Sequence, residues 1–109
     1  RLILSDALAY ARRYEPKAVV DLATLTGSCV VALGHMACGL MGTDAELLAR
    51  LKRAAQTTAE LAWELPIFKD YYRQIKSEVA DVKNSGGRPG GAITAAAFLS
   101  KFAQGYPWA

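Results

Sequence analysis

Helical and strand patterns alternate along this chain, with short connections between them. Apolar residues recur at helical spacing in residues 2–14, a β-branched run follows at residues 18–22, and a second helical repeat spans about residues 44–60. Buried strands that alternate with helices need helices on both faces of their sheet. The alternation therefore predicts a layered α/β fold.

Local signals predict where several elements begin and end. Pro16 closes the first helix, because the residue before a proline is disfavoured in the helical region. Thr43 and Glu46 have the spacing of a reciprocal N-terminal cap, and residues 63–66 are expected to break the helix that follows. The other expected elements are a loop leading into a short helix or turn in residues 23–34, a buried strand at 37–42, a short helix at 68–76 with Tyr71, Tyr72 and Ile75 facing inward, a helix of small residues at 92–102 and a strand beginning at 106–109.

A glycine-rich stretch, residues 81–91, directly precedes the helix of small residues. A loop at a helix N-terminus could bind an anion through its N–H groups. The stretch lacks the lysine and hydroxyl pair of a nucleotide-binding loop and the spacing of a dinucleotide fingerprint, so close packing of backbone around the helix is the favoured role. A small nucleotide-binding domain is the alternative reading.

Composition narrows the class of protein. The chain has 109 residues, 52% hydrophobic and 21% charged, as expected for one packed globular unit. Its net charge of +3 comes from scattered basic residues with no aromatic-interleaved stripe, and no apolar run approaches membrane length, so neither a nucleic-acid nor a membrane partner is expected. Cys29 and Cys38 lie in apolar surroundings and are predicted to be buried thiols in a reducing cytoplasm, with a disulfide or zinc site as the alternative.

No complete catalytic constellation can be assembled from these residues. His35 is the single histidine and lies in an apolar stretch bounded by glycines. The serines have no nucleophile-elbow context, and the aspartates are singly spaced, mostly at expected helix ends or turns. Residue patterns alone therefore indicate an α/β globular fold, and they do not indicate a catalytic reaction.

Three blocks extend the argument: RLILSDALAYA followed by VVDLATLTGSCVVALG, then ADVKNSGGRPGGAITAAAFLSKF, then YPWA. Their order and spacing resemble the C-terminal catalytic domain of the leucyl aminopeptidase family, also called cytosol aminopeptidases or peptidase family M17. The resemblance covers residues 1–109. It implies part of a three-layer α/β/α sandwich with a mixed sheet, truncated at both ends, and a parent enzyme that removes N-terminal, preferably leucine-like, residues from peptides.

The resemblance also implies two divalent metal ions, Mn or Zn, in the parent enzyme. The family's hallmark, Asn-Thr-Asp-Ala-Glu-Gly-Arg-Leu, supplies metal ligands through its Asp and Glu, and only its last two residues are present, as Arg1 and Leu2. No metal ligand is therefore assigned within this chain, and the chain alone is expected to be inactive. By the same resemblance Arg1 is the catalytic guanidinium, which holds a bicarbonate or stabilises charge on the tetrahedral intermediate. An exposed terminal residue is the alternative for Arg1.

A second set of site residues follows from the resemblance. In the family, the positions matching Thr24, Leu25 and Gly27 bind the peptide through main-chain groups. Such a loop after a strand is where open α/β sheets place ligands, and glycine permits close approach. The alternative is a tight turn in which Thr26 caps the next helix.

The parent is expected to be a cytoplasmic homohexamer that acts on peptides. The helical pattern beginning directly at Arg1 and the strand pattern breaking off at Ala109 predict a partial domain. A non-catalytic relative, keeping the fold as a binding or scaffold module, is the alternative to the enzyme.

Overall fold

The computed structural model describes all 109 residues, from Arg1 to Ala109. Five α-helices and two short strands follow one another along the chain. In order they are α1 (Leu2–Ala11), a 3₁₀ turn (Arg12–Tyr14), α2 (Gly27–Leu33), β1 (Cys38–Leu40), α3 (Ala45–Thr58), β2 (Ala62–Glu64), α4 (Lys69–Gln74) and α5 (Gly91–Ser100). The predicted α/β fold is confirmed.

The strands pair in two places. β1 and β2 are parallel, with Gly39 opposite Trp63, and α3 forms the crossover that parallel neighbours require. Val19 forms a single parallel bridge with Trp108, supported by the N–H of Val19 on the Pro107 carbonyl at 2.9 Å and the N–H of Ala109 on the Val19 carbonyl at 3.1 Å. Both pairings are parallel.

Two sequence-based expectations about strands are corrected. The strand predicted at residues 18–22 is reduced to the Val19 bridge, because only residues 107–109 pair with it. Residues 63–66 were expected only to break a helix, but Ala62–Glu64 forms β2. The strand that pairs with it, β1, lies more than twenty residues earlier in the sequence, and a local pattern does not predict such a contact.

The cap of α3 also differs from the prediction. Asp44, not Thr43, is the N-cap residue, and its carboxylate accepts a hydrogen bond from the Leu47 N–H at 2.8 Å. A carboxylate here satisfies an otherwise free N–H and complements the helix dipole. Leu47 and Leu48 are buried on the inner face of α3, as the apolar repeat predicted.

The core surrounds α5. Every residue of α5 from Thr94 to Ser100 is buried, and α1, α2 and α4 all contact this helix. Ile75 is fully buried, and Tyr71 and Tyr72 pack against the same core, which confirms their inward orientation. The Tyr106 hydroxyl donates a hydrogen bond to the Leu8 carbonyl at 2.6 Å and so ties the last residues to α1.

The environment of the cysteines was predicted wrongly for this chain. Cys29 is half-buried and Cys38 is exposed, although both are free thiols, so no disulfide forms. Cys38 lies in β1, which pairs with β2 alone and is therefore not enclosed by neighbouring strands. No helix has the length and apolar character needed to cross a membrane.

Gly42 offers a test of the packing around Trp108. A β-carbon added at Gly42 would lie 2.5 Å from the Trp108 carbonyl oxygen and 3.0 Å from the Ala109 Cα. That carbonyl also accepts a hydrogen bond from the Thr43 N–H at 2.9 Å, so it has little freedom to move. We expect Gly42→Ala to lower the free energy of unfolding of the full-length protein by about 1–3 kcal/mol, measured by chemical denaturation.

Gly27→Ala is the matched control, because a β-carbon at Gly27 meets no atom within 4 Å. This variant should unfold at nearly the wild-type denaturant concentration. Equal stability of the two alanine variants would contradict the tight packing described at Gly42.

Candidate functional site

The predicted substrate loop, residues 24–27, lies between the Val19 bridge and the start of α2. Thr24 is exposed, whereas Leu25 is half-buried and packs against the main core. The Leu25 side chain therefore anchors a loop whose main chain stays accessible on either side. This arrangement fits recognition through main-chain groups.

Gly27 is the first residue of α2 and is exposed. Its φ angle is not among the positive values, which occur at Gly34, Gly87, Gly90 and Gly105. An added β-carbon would meet nothing within 4 Å. A positive φ therefore does not require glycine at this position, and the backbone at Gly27 faces open space.

Thr26 occupies the N-cap position of α2 in an extended conformation, with φ −147° and ψ 141°. Its hydroxyl nevertheless forms no capping hydrogen bond. The proposed cap by the Thr26 side chain is therefore not found, and the N–H groups that begin α2 are left without a side-chain acceptor.

Arg1 is half-buried, and its Nη1 donates a hydrogen bond to the Asn84 carbonyl oxygen at 2.6 Å. The two ion pairs in the structure, Lys52 with Glu64 and Arg73 with Asp70, do not include it. No carboxylate of this chain therefore pairs with the guanidinium, whose further N–H groups can still donate.

No hydrogen bond joins Arg1 directly to residues 24–27, but both are supported by the first turns of α5. A β-carbon added at Gly91 would overlap Ser28, the residue after Gly27. A β-carbon at Gly86, two residues after the Asn84 that holds Arg1, would lie 2.8 Å from Thr94 Cγ2. Gly91 and Thr94 are three residues apart and share one face of α5. These contacts favour the packing role predicted for the glycine-rich stretch.

A shallow cleft of about 430 Å³ lies where α2 meets the beginning of α5. Val31, Ala32, Leu65 and Ile93 form its apolar walls, and Arg88 contributes a cation. No sequence pattern predicts this cleft. Its lining comes from three separate parts of the chain, and no local pattern indicates that they meet.

Asp21 lies just before the substrate loop in a poorly solvated place. Burial raises the pKa of the Asp21 carboxyl, and the indole of Trp108 partly offsets this effect. The Trp108 Nε1 is itself buried, and no acceptor lies within hydrogen-bonding distance of it. Burial and the nearby Asp21 charge both raise the pKa of Tyr106.

The structure brings together no group of three or more His, Cys, Asp or Glu side chains that could hold a metal ion. His35 is exposed. These residues thus provide a guanidinium and an accessible main-chain loop, and they do not provide a metal centre.

Comparisons with known proteins show the family of this chain. The model of the cytosol aminopeptidase family, catalytic domain, matches residues 1–109. Probable cytosol aminopeptidases of Syntrophotalea carbinolica and Nitrosospira multiformis are 58% and 57% identical over the 109 residues, which are all of this chain but 22% and 21% of those proteins. A solved structure of a mutant of tomato leucine aminopeptidase matches 96% of the chain at a TM-score of 0.92 and 40% identity.

This chain covers 21% of that solved chain, so it spans about a fifth of the length of the proteins it resembles. The match nevertheless extends over every element from α1 to α5 and includes Arg1 and the predicted substrate loop. The chain belongs to the cytosol aminopeptidase family and represents part of its catalytic domain.

Proposed function

We propose that the protein containing these residues is a metal-dependent aminopeptidase that removes leucine-like residues from the N-termini of peptides. The observation that supports this most strongly is the match of residues 1–109 to the family's catalytic domain. The relatives are about five times longer than this chain, so most of the catalytic machinery is assigned to other parts of the protein. A cytoplasmic homohexamer is the proposed assembly, by analogy with the family.

Two divalent cations, Mn or Zn, are proposed for the whole enzyme. The residues described here do not fit a metal centre, because no cluster of suitable ligands forms among them. Such cations polarise a carbonyl and lower the pKa of water. The contribution of this chain is therefore confined to binding the peptide and stabilising charge.

Arg1 is proposed as the group that stabilises negative charge developing on the reacting carbonyl, directly or through a bound bicarbonate. Its charge is not neutralised by a carboxylate, and one N–H is already fixed by the Asn84 carbonyl. A fixed cation stabilises a transition state at little reorganisation cost. This supports a catalytic role for Arg1.

Thr24, Leu25 and Gly27 are proposed to bind the peptide backbone. The exposure of Thr24, the anchoring of Leu25 in the core and the open space beside Gly27 support this assignment. Since the contacts would be made by main-chain groups, this part of the site should be insensitive to the peptide's side chains. Selection of leucine-like residues is then assigned to apolar walls elsewhere.

The proposal is tested first by comparing the full-length protein with residues 1–109 alone. Full-length protein loaded with Mn²⁺ should hydrolyse leucine-p-nitroanilide and lose this activity in EDTA. The 109-residue chain should have no activity and bind neither Mn²⁺ nor Zn²⁺ tightly, because it lacks a ligand cluster. EDTA-resistant turnover, or stoichiometric metal in the short chain, would contradict the assignment. A folded, metal-loaded full-length protein without activity would indicate the scaffold alternative.

Arg1→Ala in the full-length enzyme tests the guanidinium. Because charge stabilisation acts mainly in the transition state, kcat should fall on the order of 10²-fold while KM changes little. Steady-state kinetics on leucine-p-nitroanilide measure both constants. An unchanged kcat would reduce Arg1 to a structural residue.

Gly27→Val tests the loop. The structure predicts that the variant folds, because φ at Gly27 is not positive and the added atoms face open space. Those atoms should obstruct the peptide, so we expect lower kcat/KM and weaker binding of bestatin-like inhibitors, with metal content unchanged. Inhibition assays and metal analysis provide the measurements.

Thr26→Ala is the matched control in the same loop. The hydroxyl of Thr26 makes no capping hydrogen bond, so most of the activity should remain. Circular dichroism and hexamer size establish that both variants are folded. A folded Gly27→Val enzyme with normal inhibitor binding would remove this loop from the substrate site.

A further inference from the structure

The hydrogen bond of Arg1 links α1 to a part of the chain more than eighty residues away. Nη1 of Arg1 donates to the carbonyl oxygen of Asn84 at 2.6 Å, and the Asn84 side chain forms no hydrogen bond. The acceptor is thus the main chain of the glycine-rich stretch. Its position depends on the conformation of that stretch and not on the asparagine side chain.

A neutral acceptor suits a guanidinium that must act on an anion. A carboxylate partner would fix the side chain equally well but would cancel most of its charge. The Asn84 carbonyl fixes one N–H of Arg1 and leaves the charge available to a ligand. Neither ion pair of the structure competes for this charge.

The chain is held on both sides of Asn84. On one side, the Lys83 N–H donates to the carbonyl of the fully buried Ile75 at 2.7 Å. On the other, Gly86 lies so close to Thr94 of α5 that an added β-carbon would be 2.8 Å from Cγ2 and 2.9 Å from Cβ. Thr94 is 1% exposed and cannot withdraw. The exposed Asn84 therefore lies between two points of the chain that are fixed to the core.

We propose that the Asn84 carbonyl is a positioning group for the Arg1 guanidinium, and that contact between Gly86 and Thr94 sets its location. The inference rests on the catalytic role proposed for Arg1. It adds a function to residues 84–86, which is to orient the catalytic cation. A displacement of this segment should then weaken transition-state stabilisation more than substrate binding.

Gly86→Ala in the full-length, metal-loaded enzyme is the principal test. The added β-carbon forces the segment away from Thr94 and moves the Asn84 carbonyl. We expect kcat for leucine-p-nitroanilide to fall roughly 10- to 100-fold with KM changed much less, since a shift of about 1 Å can cost that much. Circular dichroism, hexamer size and metal content should remain as in the wild type.

A double-mutant cycle with Arg1→Ala identifies the route of the effect. If Gly86 acts through Arg1, Gly86→Ala should lower kcat in the wild-type background and have little further effect in the Arg1→Ala background. An equal fold-loss in both backgrounds would overturn the positioning proposal and leave the role of Arg1 intact. An Arg1→Ala variant with normal kcat would instead overturn the proposed role of Arg1 itself.

Asn84→Gly provides a second variant that introduces no steric conflict and should fold. It keeps the carbonyl but gives its backbone more freedom, so kcat should fall severalfold, again only when Arg1 is present. Val79→Gly, at a residue that is 98% exposed, adds the same freedom earlier in the connection and should leave kcat near wild type. Equal kcat losses for these two glycine variants would contradict the proposal.

Discussion

Helix α5 lies at the centre of the core, and three of the other helices take their positions from packing against it. Three consecutive alanines, Ala95 to Ala97, are almost completely buried, and α1, α2 and α4 all contact the helix. Large side chains would keep these neighbours apart, whereas small ones allow a close approach at near-crystalline packing density. Helix α5 therefore tolerates larger side chains poorly, because the surrounding core has no free volume for them.

The geometry of the candidate site depends on the same helix, α5. Gly91 supports the segment after Gly27, and Thr94 supports the segment that holds Arg1. One face of α5 thus positions both the proposed peptide-binding loop and the proposed catalytic cation. A rigid secondary element gives a more precise site than two independent loops would. This accounts for glycine at positions 86 and 91, where the neighbouring segments come closest to the helix.

The sequence predicted the helices and missed part of the sheet for a physical reason. Periodicity within α3 and the small residues of α5 are local signals, and both helices were found near their observed limits. β2 and the Val19 bridge depend on partners distant in sequence, so Ala62–Glu64 was taken for a simple break. The cap was misplaced by one residue, because Thr43 and Asp44 are both good capping residues and only their backbone angles distinguish them.

The same limit applies to the site. Arg1, Thr24, Leu25 and Gly27 were assigned through resemblance, since no spacing in the sequence brings residue 1 near residue 84. The cleft beside Arg88 and the half-buried Asp21 likewise arise from tertiary contacts. What the sequence did predict correctly was the role of the glycines in close packing.

The closing contacts of Tyr106 and Trp108 also bear on how such a chain is made. Tyr106 bonds to Leu8, and the segment around Trp108 pairs with Val19. During synthesis the ribosome releases α1 and the Val19 segment long before residues 106–109 emerge. Until then α1 and the Val19 segment lack these contacts. The contacts of Tyr106 with Leu8 and of Trp108 with Val19 therefore form only after residues 106–109 have left the exit tunnel, however fast the helices form.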